Sequence, residues 1–335
     1  MNIRLFVIIL SVLAIAACEK NTEEYIGIER TISLSADVAS VDTSRSAFKG
    51  TSTKDMEASV WFSNVCGTYT NNTNPQAPNY LPYRATVKYL DGPTTVYVDP
   101  QNRNYPLSYP VERNSSAYCV GLYPANGWES SNGTVASHTI DGTSDIMLAE
   151  QLEGSWENPF TTQTYRHLLT WFKIEARVAD VEAASQWGNI TQICVTNPHN
   201  TVKITFDKEK DSSGNYESTI EYTGGTNELY ALNDSMGTPL SVNAKTVGEL
   251  LCAPSASLQL KITTKSAVRE MTSSINVDLY DENGIKLTAN DYLSKTVGKL
   301  FIINLYFKSY EDIDAVCSLI PWNEQNVDLN GTSNQ

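Results

Sequence analysis

Hydrophobic residues along this chain mostly alternate with polar residues, or they form short runs that end at Gly, Asn, Asp or Pro. A period of two is the pattern of a β-strand that turns alternate side chains toward a core, and the breaking residues are typical of turns. The sequence therefore predicts strands at residues 57–63, 94–98, 117–123, 168–178, 190–195, 202–206, 257–263, 274–280 and 299–307.

Two of the polar breaks predict β-hairpins. Residues 211–215 (DSSGN) and residues 281–284 (DENG) each separate two apolar segments. Both contain Gly and Asn, which tolerate the positive φ of hairpin turns. Helical periodicity is rare and is clearest at residues 181–187, where we expect one short helix.

These patterns together predict an all-β chain built from β-sandwiches. A length of 335 residues is enough for two domains with substantial cores. We place the boundary near Asp180, where the long strand prediction at 168–178 ends. The predicted division is an N-terminal sandwich over residues 18–179 and a C-terminal sandwich over residues 180–335.

The N-terminus has the pattern of an export signal. Residues 1–4 contain Arg4, and residues 5–17 are apolar, uncharged and too short to remain as a membrane span. Small residues precede Cys18, which resembles the lipobox of bacterial lipoproteins, where the peptidase cuts before a cysteine that becomes lipidated. This resemblance implies a lipid on Cys18, and an ordinary signal peptide with a coincidental cysteine is the alternative.

The first strand-like stretch after this signal is residues 31–36 (TISLSA), followed by a Ser- and Thr-rich segment that contains Arg45. Ile32 and Leu34 are two residues apart, so both side chains face the same side of a strand. Arg45 stands apart as a basic residue in a mostly acidic chain, in a context suited to an accessible loop.

Charge and cysteine content exclude several functions. The formal net charge is −14, and no Lys or Arg cluster is present, which argues against nucleic-acid binding. Five cysteines remain after Cys18, so they cannot all pair within the chain, and we expect buried thiols with at most one disulfide. The five are Cys66, Cys119, Cys194, Cys252 and Cys317. With no CxxC pair, zinc and redox sites have no support.

Nothing in the sequence indicates an enzyme, a cofactor or a metal site. The three histidines lack metal-ligand spacing, and His167 at the start of a strand is expected to be structural. Residues 141–145 (DGTSD) could hold calcium but more simply form a turn. GxSxG, P-loop and dinucleotide-binding patterns are absent, and a hydrolase has only the acid-rich composition in its favour.

Several segments in order resemble the fimbrillin superfamily of Bacteroidetes, specifically its Mfa-like members. They are residues 118–124 (YCVGLYP), 143–149 (TSDIMLA), 165–174 (YRHLLTWFKI), 298–305 (GKLFIINL) and 320–323 (IPWN). Tyr165 stands where the family strand usually has Phe, and the five further cysteines also depart from the pattern. With the lipobox, the resemblance spans nearly the whole chain.

This resemblance implies two tandem transthyretin-like β-sandwiches and a cell-surface fimbrial (type V pilus) subunit or fimbrillin-like adhesin. It further implies an outer-membrane lipoprotein precursor, anchored through Cys18, that an arginine-specific protease cuts after its first strand. A strand from another fimbrial subunit then fills the vacated groove by donor-strand exchange. A surface glycan or protein of a host or of other bacteria would be the ligand of an adhesin.

In this chain the candidate removable strand contains Ile32 and Leu34, and Arg45 is the candidate cleavage site, with Arg30 as a competing site upstream. An uncleaved anchor subunit is the alternative. In the polar C-terminal tail, Val327 and Leu329 are again two residues apart and could form a weak donor strand.

A surface glycan-binding lipoprotein that does not polymerise is the alternative function. Most tryptophans of the chain fall in predicted strands and are expected in the core. Trp128 and Trp156 fall in polar loops, so they are the candidates for stacking on a sugar.

Overall fold

The computed structural model describes residues 30–39, 56–70, 81–98, 106–225, 227–309 and 312–320, and within them it forms twenty strands and two short helices. The strands are β1 (Ser33–Leu34), β2 (Ala36–Val38), β3 (Glu57–Ser63), β4 (Tyr83–Lys88), β5 (Thr94–Thr95), β6 (Ala117–Tyr123), β7 (Glu129–Ser131), β8 (Val135–Thr139), β9 (Met147–Gly154), β10 (Gln163–His167), β11 (Thr170–Val178), β12 (Asn189–Val195), β13 (Thr201–Thr205), β14 (Thr219–Thr223), β15 (Leu229–Pro239), β16 (Lys245–Cys252), β17 (Ser257–Lys265), β18 (Glu270–Asp278), β19 (Leu300–Phe307) and β20 (Ile313–Ile320). The helices are α1 (Val181–Trp187) and α2 (Tyr292–Thr296). The protein is all-β, as the alternating pattern predicts.

The strands form five sheets. A six-stranded sheet has the order β2-β10-β9-β6-β3-β4, and β1 pairs with β5 in a separate two-stranded ladder. Three four-stranded sheets have the orders β14-β13-β8-β7, β16-β11-β19-β20 and β15-β12-β17-β18. Most neighbours are antiparallel, whereas β2 runs parallel to β10 and β11 runs parallel to β19.

The six-stranded sheet is buried on both faces because successive side chains of its strands point alternately into two apolar cores. On β3, Val60 and Phe62 enter a smaller core, while Trp61 between them enters a larger one. The same alternation separates Cys119 from Val120 on β6. A strand whose successive side chains are all apolar can serve a core on each side of its sheet.

The larger core continues into a second sandwich, formed by the sheets that contain β11 and β12. Phe172 on β11 and Phe301 on β19 are both fully buried and stack with their ring centroids 5.6 Å apart. Ile193 on β12 and Ile262 on β17 belong to the same core. We call this the second sandwich below.

Helix α1 follows β11 and has the residues that its ends require. The Asp180 carboxylate accepts a hydrogen bond from the Ala183 backbone amide at 2.7 Å, which is a standard N-cap. Gly188 ends the helix with a φ of 73°, a conformation that glycine adopts without a Cβ clash. The sequence prediction of this helix at residues 181–187 is confirmed.

Most predicted strands are also confirmed, with bounds shifted by a few residues. Those at 57–63 and 117–123 match β3 and β6. The prediction at 94–98 was too long, because only Thr94 and Thr95 form the ladder with β1.

The two sandwiches are not separated in sequence as simply as the boundary near Asp180 predicts. Strand β8, before that residue, pairs with β13 after it. Strand β11, also before it, pairs with β16 and β19. Three ladders therefore cross the predicted boundary, and the division into residues 18–179 and 180–335 stays a prediction.

Candidate functional site

The first described residues, 30–39, form an edge segment that contacts two sheets; we call it the first-strand segment. Its β1 part pairs with β5, and its β2 part runs parallel to β10 at the end of the six-stranded sheet. Hydrogen bonds extend the first contact, since the Ile32 amide donates to the Leu107 carbonyl at 2.7 Å and the Val96 amide donates to the Ile32 carbonyl at 3.1 Å. We call the surface between β5, residues 106–109 and β10 the first-strand groove.

The first-strand segment supplies part of the smaller core. Ile32, Leu34 and Val38 are buried with exposed fractions of 0%, 1% and 8%, while Ser33 between the first two is only half-buried. The smaller core also contains Val60, Phe62, Val87, Val96, Leu107, Tyr109, Met147 and Tyr165. Ile32 and Leu34 thus face the same interior, as their spacing predicts, and their removal would open an apolar groove.

A polar network lies inside this smaller core. The Tyr89 hydroxyl donates to Gln163 Oε1 and lies 3.0 Å from the Tyr165 hydroxyl, and all three side chains are buried. Burial raises the pKa of both phenols above their ordinary range, so both stay neutral. Gly121 makes room for the network, because a Cβ there would lie 2.2 Å from the Tyr165 hydroxyl oxygen. Sequence reasoning missed this network, since Tyr in a strand indicates only an aromatic core position.

Arg30, at the start of the first-strand segment, contacts one of the two candidate stacking tryptophans. Its guanidinium carbon lies 5.8 Å from the centroid of the Trp156 ring, and Nη1 donates to the Trp156 carbonyl at 2.5 Å. Arg113 lies over the same ring at 4.6 Å and pairs with Glu157 at 3.5 Å. Trp156 is therefore a half-buried ring with two arginines against it, a contact that the sequence pattern did not indicate.

The backbone around Arg30 is also held by hydrogen bonds. The Arg30 carbonyl accepts from the Tyr109 amide at 3.0 Å, and Thr31 forms a β-bridge with Ser108. Proteases bind substrates as exposed, extended segments, so a residue with these contacts is a poor cleavage site in the folded chain. Arg45 and Cys18 lie outside the described residues, as do Val327 and Leu329 of the tail.

Trp128, the other candidate stacking residue, lies elsewhere. Its indole nitrogen donates to the Pro124 carbonyl at 2.8 Å, and its ring centroid lies 4.9 Å from that of His138. It packs against the larger core, whereas Trp156 packs against the smaller one. The two tryptophans belong to separate sites, and a role in sugar stacking stays a prediction for each.

The remaining candidates, His167 and the turn at residues 141–145, make hydrogen bonds within the fold. His167 and Asp145 are buried together with Nδ1 and Oδ2 2.5 Å apart. The Asp141 carboxylate accepts hydrogen bonds from the amides and hydroxyls of Thr143 and Ser144, as in an Asx turn. Burial alone would raise the pKa of Asp141, but those hydrogen bonds outweigh it and lower the pKa.

The five cysteines, all within the described ranges, are free thiols, and burial raises the pKa of Cys194 to about 11 and that of Cys252 to about 12. A search of the described residues finds no cluster of three or more His, Cys, Asp or Glu that could bind a metal. Among these same residues, no helix is both long and apolar enough to span a bilayer.

Four of the five segments that resemble fimbrillins lie wholly within the described residues and in neighbouring strands, whereas only Ile320 of residues 320–323 is described. Residues 118–124 contain most of β6, which pairs with β9, and β9 in turn pairs with β10. Residues 298–305 contain most of β19, the parallel neighbour of β11. The resemblance therefore falls on contiguous parts of the fold.

Comparisons with known proteins agree with this architecture. No family model and no curated protein sequence matches the chain. The solved structure of a "putative cell adhesion protein" from Bacteroides uniformis is similar, with a TM-score of 0.52 at 13% identity over 88% of this chain and 99% of that one. A second protein of that description, from Bacteroides ovatus, has a TM-score of 0.49 at 11% identity over 88% and 98% of the two chains.

A "fimbrial assembly protein" from Parabacteroides distasonis has a TM-score of 0.43 at 8% identity, covering 87% of this chain and 96% of its own. These neighbours come from Bacteroidetes and are named for adhesion or fimbrial assembly, and none of the three is named as an enzyme. At such low identity the likeness concerns the fold alone. The chain has the all-β sandwich fold of the Bacteroides uniformis protein.

Proposed function

We propose that this protein is a cell-surface fimbrial subunit or fimbrillin-like adhesin that is assembled by strand exchange. The observation that carries the proposal is the first-strand segment. Residues 30–39 lie at the edge of two sheets, yet their apolar side chains complete the smaller core. Such a segment can be replaced by another strand without changing the rest of the sheet order.

The physical basis is β-augmentation. Removing the segment would leave the Val96 amide and the Leu107 carbonyl without their present partners and would expose the pockets of Ile32 and Leu34. Each such side chain stabilises the fold by about 1.5–3 kcal/mol when buried. A donor strand that restores both the ladder and the two aliphatic side chains would therefore bind strongly.

Cleavage after Arg45 is the step that would release the segment. Arg45 lies in the stretch of chain between Ala39 and Met56, which are the described residues on either side of it. Arg30 is the less favourable site because its carbonyl and guanidinium both have partners. Export as a lipoprotein, through a lipid on Cys18 in the outer membrane, belongs to the same proposal.

N-terminal sequencing and mass spectrometry of protein taken from the cell surface test this proposal. We expect a mature N-terminus at Ser46 and SDS-resistant ladders for the unaltered chain. Arg45→Ala should retain the lipid-blocked N-terminus and remain monomeric, because the segment keeps its place in the groove. Arg30→Ala is the matched control and should be processed normally. A monomeric surface protein that begins at Cys18 in the unaltered chain would contradict polymerisation.

A further inference from the structure

The side chain at position 30 marks one end of the first-strand groove. Arg30, Ile32 and Leu34 alternate with Thr31 and Ser33, so the three lie on one side of the strand. Ile32 and Leu34 are buried in the smaller core, while Arg30 is half-buried at its rim against Trp156. The groove therefore receives one cation followed by two aliphatic side chains at a spacing of two residues.

The rim contact is built from both backbone and side chain. Arg30 donates to the Trp156 carbonyl and lies over the Trp156 ring. Tyr109 joins this rim to the floor of the groove, because its amide donates to the Arg30 carbonyl and its hydroxyl accepts from the Phe160 amide at 2.7 Å. The nearby Arg113 is paired with Glu157, which reduces its repulsion of a second cation.

The Arg30–Trp156 contact can fix the register of an inserted strand where the alternation of side chains alone does not. A strand shifted by one residue would turn polar side chains into the core, so the pleat itself prevents that error. A strand shifted by two residues keeps aliphatic side chains on the core side and the same number of ladder hydrogen bonds. A cation held against Trp156 distinguishes the correct register from the one shifted by two.

We infer that the first-strand groove selects a donor strand that carries Arg or Lys two residues before its first buried aliphatic side chain, in the orientation of residues 30–34. The inference rests on the proposed strand exchange and specifies the partner. The tail of this chain has Val327 and Leu329 at the right spacing but Gln325 where the cation belongs. The groove should therefore prefer a basic-aliphatic strand of a different subunit over the tail of a second copy.

Peptide exchange into the cleaved protein tests this inference. The mature full-length chain is cut after Arg45 with an arginine-specific protease, and the cut is verified by mass. A fluorescent peptide with the sequence of residues 30–39 (RTISLSADVA) is then allowed to exchange, with its Arg30→Lys and Arg30→Ala forms and a peptide of residues 325–334 as competitors. A peptide carrying both Ile32→Asp and Leu34→Asp is the control that should not bind.

We expect the Arg peptide to bind about five- to tenfold more tightly than the Arg30→Ala peptide, since the Ala peptide loses both the cation–π contact with the Trp156 ring and the hydrogen bond to the Trp156 carbonyl at a partly exposed rim. The Lys peptide should fall between them, and the tail peptide should bind no better than the Arg30→Ala peptide. In the Trp156→Leu protein the preference for Arg should shrink to about two- to threefold, because the ring is lost while the backbone carbonyl of residue 156 remains. Trp156→Phe should retain most of the preference.

The outcomes distinguish the cation requirement from strand exchange itself. Equal binding of the Arg and Ala peptides to the cleaved protein would overturn the cation requirement and leave strand exchange intact. If no peptide enters the cleaved protein, the proposed function itself is wrong, and this inference falls with it. Should Trp156→Leu fail to fold, the peptide series on the unaltered protein still decides the question.

Discussion

The first-strand groove and the second sandwich differ in how their strands are held. In the second sandwich, β11 has nine residues and pairs along nearly its whole length with both β16 and β19. In the groove, β1 has two residues and β2 has three, and each pairs on one side. Removing β11 would break two long ladders, whereas removing the first-strand segment would break two ladders of only two and three residue pairs.

The two regions also differ in the chemistry of their cores. Around β11 and β19 the buried side chains are mostly aliphatic or aromatic, as with Phe172, Phe301 and Ile303, and Thr170 is a polar exception at the start of β11. The smaller core includes the hydroxyls of Tyr89 and Tyr165 beside the Gln163 amide, and the Tyr109 hydroxyl that accepts from the Phe160 backbone amide. Short ladders over a partly polar core predict a lower local stability for the first-strand segment than for β11. The comparison shows that one all-β chain combines long central ladders with a short, weakly paired first strand.

The largest expected effect comes from breaking the second sandwich. Phe301→Ala should lower the free energy of unfolding by about 3–5 kcal/mol, because it leaves a cavity beside Phe172 in a fully buried region. Urea denaturation followed by circular dichroism measures this. The control Val316→Ala, on the adjacent strand β20 and 65% exposed, should change stability by less than about 0.5 kcal/mol. A loss below about 1 kcal/mol for Phe301→Ala would mean that this sandwich is not the stable part.

A smaller loss of stability, confined to the first-strand segment, is expected when its groove is changed. Leu34→Ala should destabilise the first-strand segment by about 2–4 kcal/mol, because the side chain is buried and its pocket would stay empty. In hydrogen exchange, the amides of Ile32 and Val96 should exchange faster, while those of β11 should keep their protection.

Ser33→Ala is the matched control for Leu34→Ala, since Ser33 is half-buried on the opposite side of the same strand. It should leave exchange at Ile32 and Val96 nearly unchanged. If Leu34→Ala accelerated exchange at β11 as much as at Ile32, the two regions would open as one unit and the contrast between them would be wrong.

The smallest expected effect is a loss of folding stability at alkaline pH. Burial raises the pKa of Tyr109 from 10.0 to about 12, partly offset by the hydrogen bond from the Phe160 amide. The neutral phenol is thus favoured in the folded state, so its contribution is complete below pH 10 and is lost as the pH rises from 10 toward 12. Stability should fall by about 1 kcal/mol at pH 11 from this group alone.

The test compares urea unfolding at pH 8 and pH 11 for Tyr109→Phe and for Tyr97→Phe, whose hydroxyl is on a side chain 44% exposed. The Tyr109→Phe protein should lose less stability between the two pH values than the unaltered chain, although it is less stable at both, since the Phe160 amide loses its acceptor. Tyr97→Phe should keep the pH dependence of the unaltered chain. Identical pH dependence in all three proteins would show that Tyr109 ionises as readily when folded as when unfolded.

Local sequence patterns predicted many elements of this fold because they depend on near neighbours. Alternation placed β3 and β6, the N-cap and glycine bounded α1, and a spacing of two put Ile32 and Leu34 on one side of a strand. Elements without such patterns were missed. β15, for example, is eleven residues long, but its second half at residues 233–239 (NDSMGTP) is mostly polar and contains Gly237 and Pro239.

The amino-acid sequence by itself determined the all-β class, the short helix α1 and the side of the strand on which Ile32 and Leu34 lie. Only the tertiary structure decided that β8 pairs with β13, that β11 runs parallel to β19, and that Arg30 contacts Trp156 across 126 positions of sequence. The reason is physical: alternation fixes which way a side chain points, whereas the partner of a strand edge depends on surfaces that are brought together only when distant segments pack.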